Sequence, residues 1–321
     1  RGNISTIHPA FGIQATVFIA QTEDKQKIEF VESVEPPISR EEKWVNIVST
    51  LFGCPVGCNM CDAGSGYSGK LTVEQILFQI DYLVQHRYPD LNIPAKKWKI
   101  QFARMGEPAL NPAVLEVLRC LPDRYSAPGL MPSISTIAPR GVQNFFDELV
   151  EIHSNLFIGH FQFQFSVHST DPVQRKQLIP ARTWDLTEMA DYGERFFTPR
   201  DRKIALNFAL MEGVTVDPKV LRDHFNPEMF IIKLTPLNPT FRAGENNLLS
   251  SFMKPEHRDK LVKELKAHGF EVIVSLGELE ENAIGSNCGQ YVSAMENRII
   301  EEPEAYSYEK EELVACELIN E

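Results

Sequence analysis

No apolar run in this 321-residue chain reaches the roughly 18–20 residues that a bilayer-spanning helix needs. Its opening residues, Arg1-Gly-Asn-Ile, lack the apolar core of a signal peptide, and an arginine at position 1 implies a natural start further upstream. The six cysteines show no paired framework of the kind that staples secreted domains, so a reducing cytoplasm is the expected compartment. Positive charge is scarce. Lys and Arg number 32 against 44 Asp and Glu, a net charge of −12 that weakens long-range attraction to nucleic acid but leaves a local basic cleft open. Nor is there a basic stripe interleaved with aromatics, as used to grip single-stranded RNA. Apolar content is ordinary at 43%, enough for a large core in one large domain or two small ones.

What the chain does have is Cys54-Pro-Val-Gly-Cys58-Asn-Met-Cys61, three thiols spaced by three residues and then two. Thiolates are the usual protein ligands of iron–sulfur clusters. Three of them leave one iron of a [4Fe–4S] cluster free for a small molecule. Zinc is the plain alternative, but it takes four ligands, commonly as two spaced pairs, and the next cysteine is only Cys120. The spacing resembles the signature of the radical S-adenosylmethionine (SAM) enzymes. That resemblance implies a [4Fe–4S] cluster held by Cys54, Cys58 and Cys61, with SAM chelated at the open iron as the source of a 5′-deoxyadenosyl radical.

The surrounding pattern is α/β. Residues 14–34 predict a β-hairpin, with Thr22-Glu-Asp-Lys-Gln as its turn and Pro36-Pro37 ending it. Val45–Ser49 predicts a strand running into the cysteine loop. Thr72 and Gln75 form a capping box for a helix whose apolar face is Val73, Ile76, Leu77, Ile80, Leu83 and Val84. Further strands are expected at Lys99–Ala103, at a third strand that ends in Ser133–Thr136, and at Phe161–Val167, Lys203–Leu210, Phe230–Thr235 and Glu271–Ser275, with helices between them. Six repeats are too few for a closed eight-fold barrel. The expected architecture is a radical SAM partial (β/α)6 barrel over residues 41–276, an N-terminal β-hairpin extension over 1–40, and a C-terminal extension over 277–321 ending in an acidic tail.

Ligands of parallel α/β sheets gather at the carboxyl ends of the strands. Met105-Gly106-Glu107-Pro108, Ser135-Thr136, Ser166-Val167-His168 and Asn238-Pro239 all fall there. In that order, with Gly53 before the first thiol and Asn287-Cys288-Gly289-Gln290 late in the chain, they resemble the radical SAM methyltransferases that modify carbon 2 or carbon 8 of adenine in ribosomal RNA. The resemblance covers roughly residues 29–292. It implies cofactor-binding roles for Gly106, Glu107, Ser135, Ser166, His168 and Asn238. It also implies that Cys288 accepts a methyl group from one SAM, and that a second SAM then supplies the radical that passes this carbon to an sp² carbon of the substrate. Glu32, in Val31-Glu-Ser-Val34, matches the family's proton acceptor.

The match breaks in places. Ile47 stands where the family has a resolving cysteine, leaving Cys120 and Cys316 as candidates. Only about fifty residues precede the cysteine loop, and Arg104 replaces the usual glycine. Arg175-Lys176 could meet a phosphate or carboxylate. The substrate could therefore be a small molecule, a peptide or an RNA base, with an external electron donor such as flavodoxin or ferredoxin. A monomer with no membrane partner is expected. Two alternatives remain: direct hydrogen abstraction without a methyl-cysteine, and a non-enzymatic iron–sulfur or zinc-binding module.

Overall fold

The computed structural model describes residues 4–11, 15–34, 38–64, 66–252, 254–275 and 292. Three antiparallel strands come first: β1 (Ile4–Phe11), β2 (Ala15–Thr22) and β3 (Lys27–Ser33). The hairpin read from the sequence is β2–β3; β1 adds a further edge strand to it. β3 pairs antiparallel with β4 (Trp44–Val48), so the extension continues directly into the main sheet. From β4 onward every pairing in this sheet is parallel: β5 (Trp98–Phe102), β6 (Leu130–Thr136), β7 (Gln162–Ser166), β8 (Ile204–Leu210), β9 (Phe230–Pro236) and the short β10 (Val272–Val274). All ten strands form one sheet in chain order, without closure between its first and last strands.

Helices α1 (Val73–Arg87), α2 (Ala113–Arg124), α3 (Gln143–Leu156), α4 (Pro172–Leu178), α5 (Leu186–Phe196) and α6 (Pro218–His224) lie in the crossovers between parallel strands. The short α7 (Phe241–Glu245) and α8 (Pro255–Ala267) lie between β9 and β10. The Thr72–Gln75 capping box of α1 is formed as expected, satisfying two otherwise orphaned amides. None of the described helices is long and apolar enough to cross a membrane.

Strand alternation separates two faces. Trp44, Trp98, Ile100, Phe102, Phe163, Phe165, Phe208 and Ile232 belong to the large core shared with the helices. Two polar atoms on this face are satisfied by indoles: Trp98 Nε1 donates to Asn46 Oδ1 at 2.6 Å, and Trp44 Nε1 to Glu32 Oε1 at 3.0 Å. The opposite face carries Ile47, Lys99, Gln101, Ser135, Gln164, Ser166, Asn207, Lys233 and Thr235, which all line one cavity of about 380 Å³. Residues from six consecutive strands meet there because the sheet curls around them. The result is a polar lumen inside an apolar shell.

Candidate active site

The cysteine loop leaves the carboxyl end of β4, and several hydrogen bonds fix its start. Gln79 of α1 accepts from Ser49 N at 2.8 Å and donates back to Ser49 O at 3.0 Å. Thr50 N donates to Met105 O at 2.8 Å, and Asn111 Nδ2 donates to Thr50 O and Leu71 O, both at 2.8 Å. The loop is thereby tied to the Met105–Pro108 turn. Gly106 is obligatory in this arrangement. Its φ is +99°, and a Cβ there would lie 2.5 Å from Leu51 Cγ.

The far side of the loop is clasped by the chain around α7. Asp62 accepts from Phe241 N at 3.2 Å and Arg242 N at 2.9 Å, while Thr240 Oγ1 donates to Met60 O at 3.0 Å. Asn59 N donates to Leu178 O at 2.9 Å, adding α4 to the clasp. Nothing in the sequence pattern flagged Asp62. Its signal is the side-chain cap that it supplies to α7, a helix too short to show a periodicity.

Cys54, Cys58 and Cys61 are half-buried and in no disulfide. Burial, then the nearby Cys54 and Glu107, push the Cys58 thiol up to about 12. Three soft donors in a low-dielectric pocket suit an iron–sulfur cluster, whose positive irons would hold them as thiolates.

Glu107 is buried beside this loop. Its carboxylate accepts from Thr136 Oγ1, from Ile137 N at 3.0 Å and from Ala109 N at 3.1 Å. A carboxylate has about four acceptor sites, so one remains for a further donor. Burial pushes Glu107 up to about 7 despite these three hydrogen bonds.

Ser135, Ser166, His168 and Asn238 line the lumen together with Met60 and Cys61. His168 has φ +64°, and its Nδ1 accepts from Ala209 N at 3.2 Å. Desolvation and the Arg175 cation hold it down at about 4, so the ring is neutral near pH 7. With Nδ1 accepting, Nε2 carries the proton and is a donor.

The structure does not bring Glu32 to the lumen. Its parity on β3 turns it to the helical face, where it binds Arg87 Nε at 2.9 Å, Arg87 Nη2 at 3.0 Å and Arg40 Nε at 3.1 Å. The glutamate on the other face is Glu29, fully buried against Arg104 Nη2 at 2.6 Å. Val292 N also donates to Glu29, at 2.6 Å. Arg175 is likewise committed internally, donating to Trp184 O at 2.9 Å and Ile137 O at 3.0 Å. Cys120 is exposed. Ile47 lines the lumen but offers no thiol. Cys288 and Cys316 lie outside the described residues.

No protein-family model matches the chain. Among curated proteins it is 28% identical over 254 residues to the ribosomal RNA large subunit methyltransferase N of Nitrosopumilus maritimus, covering 76% of this chain and 66% of that protein. It is 26% identical over 267 residues to the dual-specificity RNA methyltransferase RlmN of Helicobacter hepaticus, covering 78% and 68%. The chain therefore spans about two thirds of these relatives' length. The chain is similar in sequence to the RlmN-type radical SAM methyltransferases. A crystal structure of a radical SAM methyltransferase from Sphaerobacter thermophilus shares the fold, with a TM-score of 0.68 at 21% identity over 89% of this chain and 81% of that one. The RlmN-type cofactors are a [4Fe–4S] cluster and SAM, and the three thiols of the cysteine loop, of which Cys61 lines the lumen, fit the cluster.

Proposed function

We propose that the protein is a radical SAM methyltransferase that passes a SAM-derived one-carbon unit through the sulfur of Cys288 to an sp² carbon of a substrate held in the lumen. The bound cluster and SAM supply one-electron reduction and a radical. Cys54, Cys58 and Cys61 hold the cluster, Glu107 takes an N–H of SAM on its spare acceptor site, and His168 Nε2–H orients polar groups in the lumen. The relatives' names specify RNA, and an RNA base is one substrate that this chemistry admits.

The observation that carries this reading is the position of Val292. It is buried in an apolar cluster with Val31, Ala63 and Met105, against which Cys54 and Cys61 pack. Four residues of chain span at most about 14 Å, and this short separation between Cys288 and Val292 in the sequence supports the reading. Replacing Cys288 with alanine is expected to abolish methylated product while reductive formation of 5′-deoxyadenosine from SAM persists. Unchanged product formation would favour direct hydrogen abstraction instead.

A second expectation concerns Glu107. SAM binding that favours its carboxylate must lower a pKa of about 7, releasing a proton. Affinity should therefore tighten as pH rises from 6 to 8, by up to about tenfold per unit below the ligand-free pKa. Equilibrium dialysis of SAM against the wild type and Glu107→Gln checks this: the variant should bind more weakly and lose that component of the pH dependence.

A further inference from the structure

Two lysines stand on the lumen wall without a counter-ion among the described residues. Lys99 is the second residue of β5 and is only 8% exposed; Lys233 lies at the centre of β9. Both line the cavity that Cys61 lines at its other end. β5 and β9 are separated in the sheet by β6, β7 and β8, and the curl of the sheet brings their side chains together. Neither ammonium has a hydrogen-bond or ion-pair partner among the described residues.

Buried lysines are almost always paired, because an ammonium removed from water without an anion is costly. Here the surroundings make matters worse. The strongest charges acting on Lys99 are Lys233, Lys97, Lys43 and Arg202, all cations, and the charge acting on Lys233 is Lys43. Burial and this repulsion hold both lysines below their usual range. A chain of net charge −12 has thus gathered five cations at the amino-terminal end of its barrel. A second polar group also waits in the lumen. Asn207, 8% exposed and the register partner of Lys233, has a buried Oδ1 with no hydrogen-bond partner among the described residues.

We propose that Lys99 and Lys233 form an oxyanion subsite at the base of the lumen, taking the phosphate or carboxylate of a small-molecule substrate whose reacting carbon lies toward the cysteine loop. The proposal rests on the lumen being the substrate chamber of the proposed methyltransferase. Asn207 Oδ1 accepts a hydroxyl or N–H of the same molecule, and the Gln101 and Gln164 amides line the space between.

Geometry favours a small molecule over a polynucleotide. Lys99 sits level with Val45 of β4, three residues before that strand ends at Val48, which is about 10 Å below the cysteine loop. A base extruded from RNA enters its pocket with its own phosphates left behind at the mouth. An oxyanion beyond the reacting carbon belongs instead to a molecule that enters anion-first.

The test uses the cluster-loaded full chain and two probes, inorganic phosphate and acetate, titrated calorimetrically in buffers of different ionisation enthalpy. Saturable binding with proton uptake is expected for at least one probe, and the stronger of the two identifies the oxyanion class. Lys99→Met and Lys233→Met should each weaken binding at least about tenfold. Both should stay folded, since each removes an unpaired buried cation, and Lys→Arg at either position should restore part of the binding. Lys96→Met is the control, an exposed lysine paired with Glu42 on the surface. Undiminished binding in the Lys99→Met/Lys233→Met double variant, or absence of binding by the wild type, would overturn the subsite. So would an RNA oligonucleotide methylated equally well by wild type and double variant. Reductive 5′-deoxyadenosine formation, assayed separately on the wild type, reports on the methyltransferase reading itself: its presence without phosphate or acetate binding removes the subsite and leaves that reading standing.

Discussion

Arg104→Ala is expected to destabilise the protein by about 3–5 kcal/mol, the cost of leaving one charge of a buried pair without its partner. Arg104 and Glu29 are 1% and 0% exposed at the side chain and meet at 2.6 Å. Glu29 also accepts from Val292 N, the backbone amide four residues beyond Cys288. The pair therefore joins β3, the residue before the Met105–Pro108 turn, and Val292. A double variant, Arg104→Met with Glu29→Leu, removes both charges together and should recover most of the loss. Equilibrium denaturation of the two variants measures this. A single-variant loss below about 1 kcal/mol would mean that Glu29 is solvated or neutral and does not hold the segment.

Cys58→Ala is the second large effect. Cys58 is the middle thiol, held in an apolar pocket with Val56, Ile137, Leu178 and Leu237. No further cysteine among the described residues is near enough to replace it, since Cys120 lies on the outer helix α2. Losing a supporting partner of a metal ligand typically costs 10–100-fold, and losing the ligand itself should exceed about 100-fold. Anaerobic iron and sulfide analysis should show a chain stripped of its cluster, with 5′-deoxyadenosine formation reduced to background. A fully loaded, active variant would place the cluster elsewhere.

Much of the fold was legible in the sequence because the parallel strands are flanked by turn formers and alternate with helices of clear periodicity. Thr72 and Gln75 announced α1, and Pro218–His224 matches α6 at both ends. β1 escaped because the sequence shows no turn signal before Ala15 comparable to the one at Thr22–Gln26. The seven parallel strands match the six strand–helix repeats and the further strand expected at Glu271–Ser275, which is the short β10.

The candidate site was legible at the strand ends, where Ser135, Ser166, His168 and Asn238 all prove to line one lumen. It was less legible inside the barrel. Lys99, Gln101, Gln164, Asn207 and Lys233 sit at inward positions of strands whose outward positions are Trp, Phe, Ile and Leu. That alternation was present in the sequence, but a polar residue in a strand reads equally well as solvent-facing until the curl of the sheet is known. Glu32 shows the converse. A local motif matched, yet the parity of β3 sends it to Arg87 and Arg40, while Glu29 three residues earlier faces the other way. Arg104, a departure from the family pattern in the sequence, has its explanation in that same buried pair.

The most direct test of the account is the mass of the peptide that bears Cys288, taken from the cluster-loaded protein after incubation with SAM and before any substrate is added. The account predicts that this peptide is heavier by one methyl group on sulfur, with one S-adenosylhomocysteine formed for each methyl. An unmodified Cys288 peptide, in protein that still converts SAM to 5′-deoxyadenosine on reduction, would contradict it.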